Sequence, residues 1–159
     1  MATDIASKPV DVLLVEDNPG DVRLTMEALK ESQFPSILHV ANDGVEALEY
    51  LRSRPAPDLI LLDLNLPRRS GREVLMEIKT DPDLRRIPVM VMSTSRSEAD
   101  VQFSYDNHAN CYIQKPMDLD QFFETVRSIE HFWCSVASLP EQGRAWKPPR
   151  IPDTGGCPA

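Results

Sequence analysis

Short, nearly unbroken apolar runs recur along this chain between longer stretches of helical period, and that alternation constrains its fold more than any other feature. A strand that is apolar at every position has both faces covered, which is the condition of a parallel sheet wrapped by its crossover helices. Five such units are legible. The first strand is Val10 to Val15, followed by a helix from about Pro19 to Ser32 with Val22, Met26 and Leu29 on one face. The second strand, Ile37 to Ala41, leads to Asn42 or Asp43 as the cap of a helix carrying Val45, Leu48 and Leu51. Pro55 and Pro57 close that segment before the third strand, Leu59 to Asp63, after which Ser70 caps a helix through Val74, Leu75 and Ile78. Val89 to Met92 forms the fourth strand, with a helix from about Ser97 to His108 behind it. The fifth strand is Cys111 to Ile113, and its helix runs from about Leu119 to Ala137 with Phe122, Val126, Ile129, Trp133 and Val136 on one stripe.

A chain of 159 residues holds one such domain and its own hydrophobic core. The expected division is an N-terminal tail over 1–8, a folded body over 9–139 and a Pro/Gly-rich tail over 140–159 with no output domain. Charge narrows the partners: a net charge of -8 and a pI near 4.8 remove the attraction on which nucleic-acid and anionic-membrane binding depend. No apolar run is long enough to span a bilayer and the start lacks a signal-peptide pattern, so the expected location is cytoplasmic. Cys111, Cys134 and Cys157 are too far apart for a zinc knuckle or a redox pair and read as reduced thiols. His39, His108 and His131 show no metal-binding spacing.

Right-handed crossovers put the carboxyl ends of all the strands along one edge, where ligand chemistry in such sheets takes place. Glu16 and Asp17 stand after the first strand, Asp63 at the end of the third, Ser93 after the fourth, and Lys115 two residues past the fifth. Two carboxylates ~4 Å apart repel by about 4 kcal/mol at an effective dielectric of ~20, so this group of acids calls for a cation. Mg2+, a hard ion that takes oxygen ligands and keeps waters, suits it, and Mn2+ is an acceptable substitute. A metal and an ammonium together lower the barrier to a carboxylate attacking phosphorus, so the edge is equipped as a phosphoryl acceptor.

The runs Leu14-Val15-Glu16-Asp17-Asn18, Leu61-Leu62-Asp63-Leu64-Asn65-Leu66-Pro67, Met92-Ser93-Thr94-Ser95 and Tyr112-Ile113-Gln114-Lys115-Pro116 resemble the receiver domain of bacterial response regulators over roughly residues 9 to 139. The resemblance implies a flavodoxin-like, doubly wound α/β fold with a five-stranded parallel sheet in order 2-1-3-4-5 and five helices. It implies that Asp63 accepts phosphate from a histidine kinase, that Glu16, Asp17 and Asp63 hold Mg2+ with the Asn65 backbone carbonyl, and that Lys115 contacts the phosphoryl group. Ser93 becomes the switch hydroxyl, in place of the commoner threonine, and Tyr112 the aromatic that turns with it. Asn65 and Ser95, two positions beyond Asp63 and Ser93, become the residues that tune hydrolysis. Such a protein is no enzyme beyond its own phosphorylation and dephosphorylation.

Flanking segments, among them Gly71-Arg72-Glu73-Val74-Leu75, Arg86-Ile87-Pro88-Val89, Asn110-Cys111-Tyr112 and Phe132-Trp133, resemble the single-domain regulators that serve phytochrome-type histidine kinases. Phe132 and Trp133 sit in an extra turn of the last helix, with roughly 300 to 500 Å² between them to bury. Together with the resemblance they predict a homodimer through the face of the fourth helix, fifth strand and fifth helix. Arg68, Arg69 and Arg72 form a small basic patch beside Asp63, read as a solvated loop.

Three other functions compete with a phosphorelay role. A phosphohydrolase with an aspartate nucleophile looks for a second Asp where Asn65 stands, and a nucleotide or flavin binder needs glycines where Glu16-Asp17-Asn18-Pro19 stands. A phosphorylation-independent adaptor would leave an intact acidic site unused.

Overall fold

The computed structural model describes residues 9–140; the tails expected at either end, with Trp146 and Cys157, lie outside the described residues. Five parallel strands, β1 (Val10–Val15), β2 (Ser36–Ala41), β3 (Leu59–Leu62), β4 (Val89–Ser93) and β5 (Cys111–Gln114), form one sheet in the order β2-β1-β3-β4-β5. The flavodoxin-like order expected from the resemblance is the one observed. Between them run α1 (Pro19–Lys30), α2 (Gly44–Ser53), α3 (Gly71–Thr80), α4 (Glu98–Asp106) and α5 (Leu119–His131).

Side-chain alternation along the central strands divides the interior in two. Leu13, Val15, Ile60, Leu62, Val89 and Val91 point into a core closed by α2 and α3, against which Phe103 of α4 also packs. Val12, Leu14, Leu59, Leu61, Met90 and Met92 point the other way, into a core closed by α1 and α5. The chain reverses direction across the sheet between β1 and β3, so their carboxyl ends flank the crevice in which ligands of open α/β sheets bind. Local chemistry fixes the helix starts around that crevice. The side chains of Asn18, Asp43, Ser70 and Asp118 each accept a backbone N–H in the first turn of α1, α2, α3 and α5.

Three sequence expectations need correction. Met26 is 38% exposed, and Thr25 and Ala28 take the buried positions of α1, because these smaller residues let the helix sit close on the sheet. That helix also ends at Lys30 rather than Ser32. The last helix does not continue in α geometry to Ala137: it ends at His131, and Phe132–Val136 is a π-helical turn closed by a bond from the Ala137 N–H to the Phe132 carbonyl at 2.7 Å. Ser135 donates its hydroxyl to the His131 carbonyl at 2.7 Å, engaging the acceptor that an α turn would give to the Ser135 N–H. The wider turn carries Val136 off the stripe into solvent, at 62% exposure.

Glu130, in the last turn of α5, is buried, and neither carboxylate oxygen has a hydrogen-bond partner among the described residues. It borders a cavity of about 10 Å³ lined by Val10, Leu29, Leu59, Val126 and Cys134. Burial pushes its carboxyl up to about 7. The folded chain therefore holds the proton more tightly than the unfolded chain. This contribution to stability is complete below the unfolded carboxyl's ordinary value of about 4.3 and is lost as pH rises through the folded value. Glu130→Met is expected to raise the melting temperature at about pH 8 and to flatten its fall between about pH 5 and pH 8. Thermal melts across that range decide it: the same slope in wild type and variant would show that Glu130 does not carry the dependence.

Candidate functional site

Four side chains from three strand ends meet in the crevice. Past β1, the Glu16 N–H extends the ladder to the Ala41 carbonyl at 3.0 Å, and past β3 the Asp63 N–H does the same to the Val15 carbonyl at 3.0 Å. Both carboxylates are thereby fixed by backbone on neighbouring strands. Past β5, the Lys115 N–H donates to the Ser93 carbonyl at 2.8 Å, and its side chain returns over the sheet edge. The ammonium donates to Glu16 at 2.5 Å, to Asp21 at 3.0 Å and to Asp63 at 3.1 Å. Glu16, Asp63 and Lys115 are all buried, while Asp17 is exposed at the mouth.

One carboxylate oxygen from each of Glu16, Asp17 and Asp63 lies within 4.8 Å of the others. Such an all-oxygen set, part buried and part open, fits a hard divalent cation that keeps waters on its open side. The acids bear on one another as expected. Burial pushes the Glu16 carboxyl up to about 7, with the Lys115 hydrogen bond pulling against it and the Asp63 charge adding to it. Burial alone would lower Lys115, but the Glu16 hydrogen bond and the charges of Asp63 and Glu16 outweigh it and hold the ammonium above its usual range.

Asp21 escaped the sequence reading. It lies in the first turn of α1, off the strand ends, and only the azimuth of that helix brings its carboxylate to the Lys115 ammonium. Gly71 escaped it as well: a Cβ there would run into the Asp63 carbonyl oxygen and lie 2.6 Å from the Leu64 Cα. The α3 terminus therefore rests directly on the backbone of Asp63, bound to it by the Gly71 N–H and the Leu64 carbonyl at 2.9 Å.

The remaining candidates surround this centre. Asn65 is exposed and donates its N–H to Asp63 Oδ1 at 3.0 Å. Ser93 is fully buried, with its hydroxyl accepting from the Ser95 N–H at 3.2 Å. The Tyr112 hydroxyl donates to the Ser95 carbonyl at 2.8 Å. The arginines at the β3–α3 junction are each paired: Arg68, which stays exposed, with Asp43, Arg69 with Glu73 and Glu77, and Arg72, in α3, with Asp100. Arg68 holds a positive φ of 67° in this turn. Phe132 and Trp133 are remote from the crevice. Trp133 packs on the α1/α5 core, its indole N–H against Met90 Sδ at 3.0 Å, while Phe132 is 49% exposed.

A doubly wound sheet with an acid cluster and a buried lysine at its switch point defines a phosphoryl-accepting signalling domain, and the chain belongs to the response regulator receiver domain family, whose profile it matches over residues 12–127. As a response regulator of the phosphorelay type, it has a histidine kinase for its partner. Among its relatives, the response regulator Rcp1 of Synechocystis sp. is 46% identical over 144 residues, 87% of this chain and 98% of that protein. The phosphorylated cyanobacterial phytochrome response regulator RcpA is 52% identical and superimposes with a TM-score of 0.82 over 84% of this chain and all of that one. The Mn2+-bound form of Rcp1 is 47% identical, with a TM-score of 0.80 over 84% of this chain and all of that one. No helix among the described residues is long and apolar enough to cross a membrane.

Proposed function

We propose that Asp63 receives the phosphoryl group of a phytochrome-type histidine kinase in the cytoplasm and that the chain signals by the protein contact this alters. The observation that carries the reading is the meeting of Glu16, Asp17, Asp63 and Lys115 at the switch point of the sheet. An Asp63 oxygen attacks phosphorus, the bond from phosphorus to the kinase histidine nitrogen breaks, and that nitrogen leaves with the electron pair, giving an acyl phosphate. Lys115 holds the ammonium beside the attacked centre, and Glu16 and Asp17, with the Asn65 carbonyl, would hold Mg2+. When bound, Mg2+ offsets the charge on the phosphoryl oxygens. Burial of Asp63 and Glu16 keeps these electrostatic effects large.

The product adds about 1.5 to 2 negative charges beside Ser93 and Lys115. Turning the Ser93 hydroxyl toward the new oxygens breaks its bond to the Ser95 N–H, and the Ser95 carbonyl that now receives Tyr112 moves with it. Asn65 and Ser95 border the path of the hydrolytic water, so the decay of the label should change severalfold when Ser95 is made large or charged.

The experiment is transfer from a purified phytochrome kinase. Label is expected to map to Asp63, to differ between the two light states and to vanish in excess EDTA. Label on another residue, or full transfer in EDTA, would overturn the site; equal transfer in both light states would overturn the class of kinase.

The same reading extends to a homodimer through α4, β5 and α5. The apolar surface on offer is Tyr105 of α4, 50% exposed, and Phe132 just past α5, 49% exposed, and a two-fold axis makes an interface of one such patch with its own copy. Light scattering at tens of micromolar is expected to give a dimer mass that Phe132→Ser lowers. A monomeric wild type would refute it.

A further inference from the structure

We propose that Arg72 is a positioning residue for the switch, holding the β4–α4 loop through Asp100 and Ser97 in the arrangement in which the Ser93 hydroxyl accepts the Ser95 N–H. The inference rests on the receiver reading above and adds to it a residue outside the phosphorylation centre.

Arg72 is the second residue of α3, and its guanidinium pairs with Asp100 in the first turn of α4. The Asp100 side chain is 18% exposed and that of Arg72 36%, so the pair is shielded far better than the surface pair Arg23–Glu27, exposed at 82% and 49%. Among the described residues it is the ion pair that joins α3 to α4. Asp100 is tied to the loop by backbone as well: its N–H donates to the Ser97 carbonyl at 3.1 Å, and the Ser97 N–H in turn donates to the Ser95 hydroxyl at 3.1 Å.

Ser95 is the hub of the loop. Its N–H donates to the Ser93 hydroxyl at 3.2 Å, its carbonyl accepts from Tyr112 at 2.8 Å, and its hydroxyl oxygen accepts the Ser97 N–H at 3.1 Å. A Ser93 hydroxyl that turns to a phosphoryl group must give up the Ser95 N–H, and the main chain that moves with it drags Ser95 against the Ser97 N–H, whose residue Asp100 anchors. The α3 end of the latch is immobile, because Gly71, next to Arg72, is packed on the Asp63 backbone. Arg72 thus resists, by charge, the displacement that phosphorylation requires. Removing the pair enlarges the fraction of chains whose loop is already competent, and a donor reacts faster with that fraction.

The test uses the full chain with acetyl phosphate and Mg2+ and reads two quantities, the initial rate of label entering Asp63 and the hydrogen exchange of the amides over 94–97. Arg72→Gln and Asp100→Asn are each expected to raise the labelling rate about three- to tenfold and to speed exchange in that segment. The charge-swapped double variant Arg72→Asp with Asp100→Arg is expected to return both quantities toward wild type, which loss of an unrelated structural role would not do. Single variants that label and exchange as wild type does, or a charge swap that restores neither, would overturn the latch. A wild type that takes no label at Asp63 would instead overturn the receiver reading, while the exchange measurement would still decide the latch.

Discussion

Lys115→Met is expected to leave a folded chain that labels at least about a hundredfold more slowly and that is less stable by about 3 kcal/mol at pH 8 in EDTA. The rate follows from removing a preorganised cation from the point where charge develops, a loss of the size seen when one such donor is deleted. The stability follows from what the ammonium leaves behind: Glu16, Asp21 and Asp63, which it bonds at 2.5, 3.0 and 3.1 Å. Removing one partner of a buried ion pair costs roughly 3 to 5 kcal/mol, and the partly open Asp21 places this site at the lower end. Magnesium offers a second cation to the same acids, so its stabilising effect should be larger in the variant than in wild type. Thermal melts with EDTA and with excess Mg2+ give all four values. A variant as stable as wild type in EDTA would show that the carboxylates do not depend on the lysine.

Much of this site was legible because it is built from strand ends. An unbroken apolar run such as Leu59-Ile60-Leu61-Leu62 fixes where its strand stops, and the next polar residue, Asp63, is bound to stand at the carboxyl edge. The same logic located Glu16, Ser93 and Lys115, whose placement follows from the register of the sheet. Residues that act through helix or loop packing carried no such signal. Asp21 needed the azimuth of α1, Gly71 the distance from α3 to the third strand, and Arg72 the approach of two helices that brings it to Asp100, 28 residues on in the chain. The end of α5 misled for a related reason: the spacing of four and three from Phe122 to Trp133 is helical, but the π turn at Phe132 depends on a Ser135 hydroxyl bond that no apolar period records.

Gly71→Ala is expected to be the most damaging single methyl that can be added near the site. The new Cβ would meet the Asp63 carbonyl oxygen, with the Leu64 Cα at 2.6 Å and the Asp63 carbonyl carbon at 2.8 Å, all backbone and none able to swing aside. Either α3 retreats, breaking the bond from Gly71 to Leu64 at 2.9 Å, or Asp63 moves on its strand. Overpacking of this kind costs about 2 to 3 kcal/mol, and a domain of this size loses roughly 3 °C of melting temperature per kcal/mol, so a fall of roughly 6 to 9 °C follows. The chemical effect should exceed the thermal one. An Asp63 displaced by even a fraction of an ångström loses its bond to Lys115 at 3.1 Å and its alignment with Glu16, and positioning errors of about 1 Å cost on the order of a hundredfold in rate. Labelling measured well below the melting temperature separates the two effects. A variant that melts lower but labels at the wild-type rate would mean that α3 yields and the strand does not, leaving Gly71 a packing residue with no hold on the phosphoacceptor.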